Sequence, residues 1–129
     1  MNHLPSIPSF LVLALLCLGL SSCRHSQTAA EAAETCYALL IEGDAEGFVD
    51  HIASAPEMSP EYRSQMVDAV AQFLQQIQRQ NGGIVAAQAV NVGEEDSLTQ
   101  VTLQLTFGDG TQEVVGLPMV RTTDTWLMR

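Results

Sequence analysis

Asp50 and His51 form the one place in the chain where a carboxylate and an imidazole are neighbours. Such a pair could move protons, because a histidine titrates near neutrality and a carboxylate can serve as base when its surroundings raise its pKa. The bland reading competes with this: at the end of a short helix an imidazolium is favoured by the helix dipole alone. His25 lies in a short polar stretch near the N-terminus, away from any element. Glu94-Glu95-Asp96 puts three acids in what reads as a turn, which could attract calcium but more simply makes a solvated loop. No pair of His, Cys or carboxylates has convincing metal-ligand spacing, so neither a metal nor a cofactor is expected. Gly82-Gly83 follows a helix instead of preceding one, which is the wrong side for a phosphate cradle.

The cysteines are more informative. From Phe10 to Leu20 the chain reads FLVLALLCLGL, and no Asp, Glu, Lys or Arg occurs from Met1 to Ser22. That run is shorter than the roughly 20 residues a spanning helix needs, and it has the length of a signal-peptide hydrophobic region. Its exit, Leu20-Ser21-Ser22-Cys23, resembles the lipobox of bacterial lipoproteins, in which two small residues precede a cysteine whose sulfur takes a diacylglycerol and becomes the new N-terminus. Residues 1–22 are therefore expected to be removed, residues 23–27 to form a tether, and residues 28–129 to form a domain. The resemblance implies a protein held at the cell envelope by its lipid, with each buried methylene contributing about 0.8 kcal/mol. Arg24-His25-Ser26 has no acid resembling an inner-membrane retention signal, so the outer membrane is the expected destination. With Cys17 lost and Cys23 acylated, Cys36 stands alone and the domain must hold together by packing.

Charge narrows the partners. The chain has 15 acids against 5 basic residues, all arginine, for a formal charge of −10. Such a surface repels phosphate backbones and anionic headgroups, so nucleic acid is excluded and membrane contact is left to the lipid. Solubility accounts for the acidity, and a cationic ligand or partner is the alternative.

The positioning elements follow from periodicity. Thr28-Ala29-Ala30-Glu31 has capping-box spacing. Ala29, Ala33, Cys36 and Leu40, joined by Tyr37 and Ile41, recur at helical steps as far as Gly43, which can end the helix. On that apolar side Cys36 is expected to be buried and inert. Asp44 can cap a second helix, DAEGFVDHIA, with Phe48, Val49 and Ile52 turned toward the first. Ser59-Pro60 opens a third, where Tyr62, Met66, Val70, Phe73 and Ile77 share a side, and Asn81-Gly82-Gly83 stops it. The period then changes to two. GIVAAQAVNV reads as a strand and GEEDS as a turn. Val101, Leu103, Leu105 and Phe107 alternate with polar residues in the next strand, Gly108-Asp109-Gly110 makes a hairpin, and a strand runs from Gln112 to Arg121. Pro118 argues for an edge or a bulge in that strand, and TTDT leads into a last strand, WLMR. The expected fold class is α+β: about three N-terminal helices packed on a curved antiparallel sheet of about four strands.

This order of elements resembles the nuclear-transport-factor-2-like superfamily, the cone-shaped fold shared with ketosteroid isomerases and polyketide cyclases, and in particular small lipoproteins of that fold from Gram-negative bacteria. The residues that carry it are Gly43-Asp44-Ala45-Glu46-Gly47-Phe48, Phe107-Gly108-Asp109-Gly110 and Trp126. The resemblance implies a fold and a location and no fixed activity. Two functions stand: a lipid-anchored module that holds a small apolar ligand or a partner protein, and an isomerase- or cyclase-type enzyme with Asp50 or His51 as its base. Between Leu98 and Phe107 no residue can ionise, and the neutral face Gln100, Thr102, Gln104, Thr106 suits either solvent or a homodimer formed through the sheet.

Overall fold

A computed structural model describes residues 27–129. Cys23, His25 and the signal sequence expected over residues 1–22 lie outside the described residues. Within them the chain forms helix α1 (Ala29–Glu42), helix α2 (Ala45–Asp50), a 3-10 turn (Ala55–Glu57) and the long helix α3 (Pro60–Asn81). Strands β1 (Ile84–Glu95), β2 (Leu98–Phe107), β3 (Gln112–Arg121) and β4 (Trp126–Met128) follow, paired antiparallel in the order β1-β2-β3-β4.

Helix α1 begins as its residue types dictate. The Thr28 hydroxyl accepts from the Glu31 amide at 3.1 Å, and the Glu31 carboxylate accepts from the Thr28 amide at 2.9 Å. Gly43 ends the helix with φ +81°, a left-handed conformation that costs glycine nothing. Between these caps Ala29, Ala32, Ala33, Cys36 and Leu40 are buried on the sheet, and the small alanines let the helix backbone approach it closely. Helix α2 is shorter than expected. His51 caps it, and Ile52 leaves the helix to make an isolated parallel bridge with Met128, tying this corner to β4. Phe48 meets the Tyr37 ring edge-on, with centroids 6.2 Å apart.

The core is the inner face of the sheet. Val101, Leu103, Leu105 and Phe107 from β2, Met119 from β3 and Met128 from β4 close against α1. Two irregularities in the β1–β2 register, at Val85 and at Val90, add one residue each to β1 and bend the sheet around the helix. The second is held by Glu34 of α1, whose carboxylate accepts from the Ala89 amide at 2.8 Å.

Three local expectations change. Strand β1 runs on through Gly93, Glu94 and Glu95, and the turn is only Asp96-Ser97, both with positive φ (48° and 67°). Asp and Ser are short polar residues that tolerate this conformation without glycine better than most. Pro118 lies in a strand flanked on both sides, yet locally it is an edge. The Pro118 carbonyl accepts from the Arg129 amide, and β4 pairs only with Met119 to Arg121, so the missing N–H points to where β4 stops. In α3 no residue is fully buried, and Tyr62 and Phe73 are half-exposed at 51% and 49%. Its apolar side is wider than its contact, because α3 packs on α2 and only lightly on β1.

Candidate functional site

Asp50, at the end of α2, turns outward. Its carboxylate accepts a hydrogen bond from the Arg63 guanidinium, and Glu46, one turn earlier, reaches the same arginine at 3.5 Å. Asp50 and Glu46 hold Arg63 more firmly protonated than an isolated arginine. The three charges bridge α2 to the first turns of α3 at the surface. His51 is half-buried, and its Nδ1 lies 2.8 Å from the Gly47 carbonyl oxygen. A carbonyl can only accept, so Nδ1 carries the proton and donates it to the preceding turn of helix. Through its backbone His51 also holds β4, since its carbonyl accepts from the Met128 amide at 2.8 Å. The sequence-derived pair is thus split: the carboxylate faces an ion pair, and the imidazole faces its own helix.

The interior above β2 is filled by side chains. Val101, Leu103, Met119, Val49 and Cys36 are all fully buried there. Burial pushes the Cys36 thiol up to about 11, because the thiolate would lose its hydration. Tyr37 is raised in the same way by burial, and the negative charge of Glu113 adds to it. Neither group is set to ionise near neutral pH. Glu94 and Glu95, being adjacent strand residues, send their carboxylates to opposite faces. Among the described residues no group of three His, Cys, Asp or Glu side chains could hold a metal ion.

A concave surface lies away from both residues. A groove of about 490 Å³ opens between the C-terminal ends of α1 and α3 and the start of β1. Leu40 and Ile84 form its floor, with Ile41, Leu74 and Val85 along its walls and Glu42 and Gln78 at its rim. Ile41, which periodicity places on the buried side of α1, is instead 40% exposed and faces this groove. Both helices stop at glycines there. The Gly43 amide donates to the Leu40 carbonyl, and the Gly82 amide donates to the Gln78 carbonyl. The α3 end is fixed by the β2–β3 hairpin: the Gly108 amide donates to the Gly83 carbonyl at 2.9 Å, and the Asp109 amide donates to the Asn81 carbonyl at 2.8 Å. The Thr111 hydroxyl and amide both donate to Asp109, which holds its carboxyl below the usual range and locks the hairpin tip.

Sequence reasoning marks Gly43, Gly82 and Gly83 as stops and misses that the two stops adjoin, since 39 positions of chain separate Gly43 from Gly82. No sequence signal marks the groove, because periodicity puts Ile41 on the buried side of α1 and Val85 reads as an ordinary strand residue.

No protein-family model matches the chain, and no curated protein matches it in sequence. Among solved structures, the chain is similar to a protein from Campylobacter jejuni described as an NTF2-like transpeptidase, at a TM-score of 0.57 and 15% identity, over 74% of this chain and 92% of that one. At that identity the likeness is one of fold. The architecture, three helices against a four-stranded antiparallel sheet, is of the nuclear-transport-factor-2-like type.

Proposed function

We propose that this protein is a lipid-anchored accessory module of the cell envelope, acting through binding and not through catalysis. The observation that carries this reading is the division of the fold: Asp50 is engaged by Arg63 at the surface and His51 by its own helix, while a groove with aliphatic walls and a polar rim stands open between the helix ends. The interior position where an enzyme of this fold would aim its reacting group is occupied by packed side chains. Thiol chemistry of the kind a transpeptidase could use is not supported either, because the one cysteine among the described residues is buried with a raised pKa. Anchoring rests on Cys23, with the outer membrane as destination, and the lipid supplies the membrane contact that the acidic surface does not.

The outer face of the sheet supports a homodimer. On β2 that face is Gln100, Thr102, Gln104 and Thr106, and the cross-strand neighbours on β3 are Pro118, Gly116, Val114 and Gln112. On β1 they are Gly93, Asn91, Gln88 and Ala86. None of these can ionise. In a chain of charge −10, a neutral face is where a second copy approaches with least repulsion.

The test of the anchor is metabolic labelling of cells expressing the full chain with a palmitate analogue. The wild-type protein is expected to be labelled and to fractionate with membranes, and Cys23→Ser is expected to lose both. Labelling that persists in Cys23→Ser, or a wild-type protein free of lipid, would defeat the reading.

A further inference from the structure

We propose that the groove between the ends of α1 and α3 docks an extended, basic segment of a partner protein, with its aliphatic side chains on Leu40, Ile84 and Val85 and its Lys or Arg side chains at the rim. This rests on the reading of the protein as a binding module and names the partner chemistry that the module accepts. Three observations lead to it. The groove is of ligand size, about 490 Å³, with aliphatic walls and a polar rim, and the walls include two exposed large aliphatic residues, Ile41 and Val85. Its electrostatics have one sign. Glu42 sits on the rim, among the described residues no basic side chain lines the groove, and the C-terminal, partially negative ends of α1 and α3 border it.

Helix α1 has no basic residue in its last turn to offset this charge. Arg79 does so for α3, but it follows Gln78 by one position and is rotated about 100° from it around the helix. Arg63 is engaged by Asp50 and Glu46 on the far half of α3. A cation is therefore the complement, and with the chain at −10 it is also steered there from a distance. The third observation favours a polypeptide over a small amphiphile. Strand β1 is the first strand of the sheet order, and its opening residues Ile84 and Val85 form part of the groove. A strand laid along this edge adds main-chain hydrogen bonds to the side-chain contacts.

Residues 24–129 contain every residue of the core described above, so they serve for the experiment. The probe is a synthetic Lys-Val-Lys-Leu-Lys-Val-Lys peptide, with its Glu-for-Lys counterpart as control, followed by amide chemical shifts during titration. The expected result is saturable shifts at Ile41, Glu42, Leu74, Gln78 and Val85 with the basic peptide and none with the acidic one. Binding should weaken at least five-fold in Glu42→Lys and be lost in Val85→Lys, an exposed position where lysine leaves the fold intact. Shifts confined to other acidic positions such as Glu94 and Glu95, equal binding of the two peptides, or no binding at millimolar peptide would each overturn the proposal. If the groove fails while Cys23 is still acylated, the docking chemistry is wrong and the anchored-module reading stands. If acylation is absent while the groove still binds, the anchor is wrong and the docking chemistry stands.

Discussion

Cys36 carries the sharpest expectation at the scale of a single residue. Its thiol is fully buried among the α1 alanines and the β2 side chains, and it holds its proton up to about pH 11 where an exposed thiol releases it near 9. The folded state therefore binds the proton more tightly than the unfolded chain. The associated stability is fully present below pH 9 and is lost as the pH rises through 11. Two pKa units correspond to about 2–3 kcal/mol, and Tyr37, raised for the same reason, acts in the same direction. Urea midpoints are expected to fall between pH 8.5 and 11, with Cys36→Ala less stable at pH 8.5 but flatter above it. A wild-type profile as flat as that of Cys36→Ala would contradict this burial. In the folded protein a disulfide exchange reagent should leave Cys36 unreacted at pH 8 and modify it at once in denaturant. The inertness of Cys36 was legible in the sequence, since it shares a helical side with Ala29, Ala33 and Leu40. The partner of Asp50 was not, because Arg63 lies 13 positions away on another helix and nothing local foretells their approach.

At the scale of elements, the stop after α3 and the β2–β3 hairpin are one joint. A methyl group on Gly108 would stand 2.3 Å from the Gly82 carbonyl oxygen, which belongs to the backbone and cannot swing aside. Gly108→Ala must push the hairpin off the helix end and break the Gly108–Gly83 and Asp109–Asn81 hydrogen bonds. The expected cost is about 2–4 kcal/mol, the range of overpacking combined with broken backbone bonds. Gly116→Ala is the control, since its methyl group meets only the movable amide end of Gln100 and should cost under about 1 kcal/mol. Equal melting temperatures for the two variants would show that the joint bears no strain. The loss should also reach the groove, whose rim includes Gly82 and Gly83. Element types were legible throughout, because caps and periods are local: Thr28 and Glu31, Ser59 and Pro60, and the alternation along β2 each acted as their chemistry demands. The extent of β1 was not. Gly93 and two glutamates read as a loop, but cross-strand pairing with Leu98, Thr99 and Gln100 keeps them extended. The unburied apolar side of α3 was equally hidden, for periodicity shows which residues share a side and not whether another element covers it.

For the whole molecule, charge and fold together set how copies meet. A protein of charge −10 repels itself, and that repulsion is screened over about 10 Å at 0.1 M salt. Apart from Glu95 at the end of β1, the outer sheet face carries no ionisable group at the paired positions of β1, β2 and β3, and Val114 on it is 62% exposed. The Gln104 amide already donates to the Gln112 carbonyl oxygen there at 2.8 Å, which lowers the polar cost of drying this face. A dimer through this face therefore gains apolar contact at Val114 and is opposed chiefly by long-range repulsion. Salt should strengthen it, the reverse of what charge pairing would give. Light scattering on residues 24–129 is expected to show a mass moving toward twice the monomer between 0.05 and 0.5 M NaCl at tens of micromolar protein. Val114→Lys should hold the monomer at every salt concentration without lowering the melting temperature, because its side chain stands outside the core. A dimer weakened by salt, or one indifferent to Val114→Lys, would move the contact to another surface and leave the neutral face to solvent.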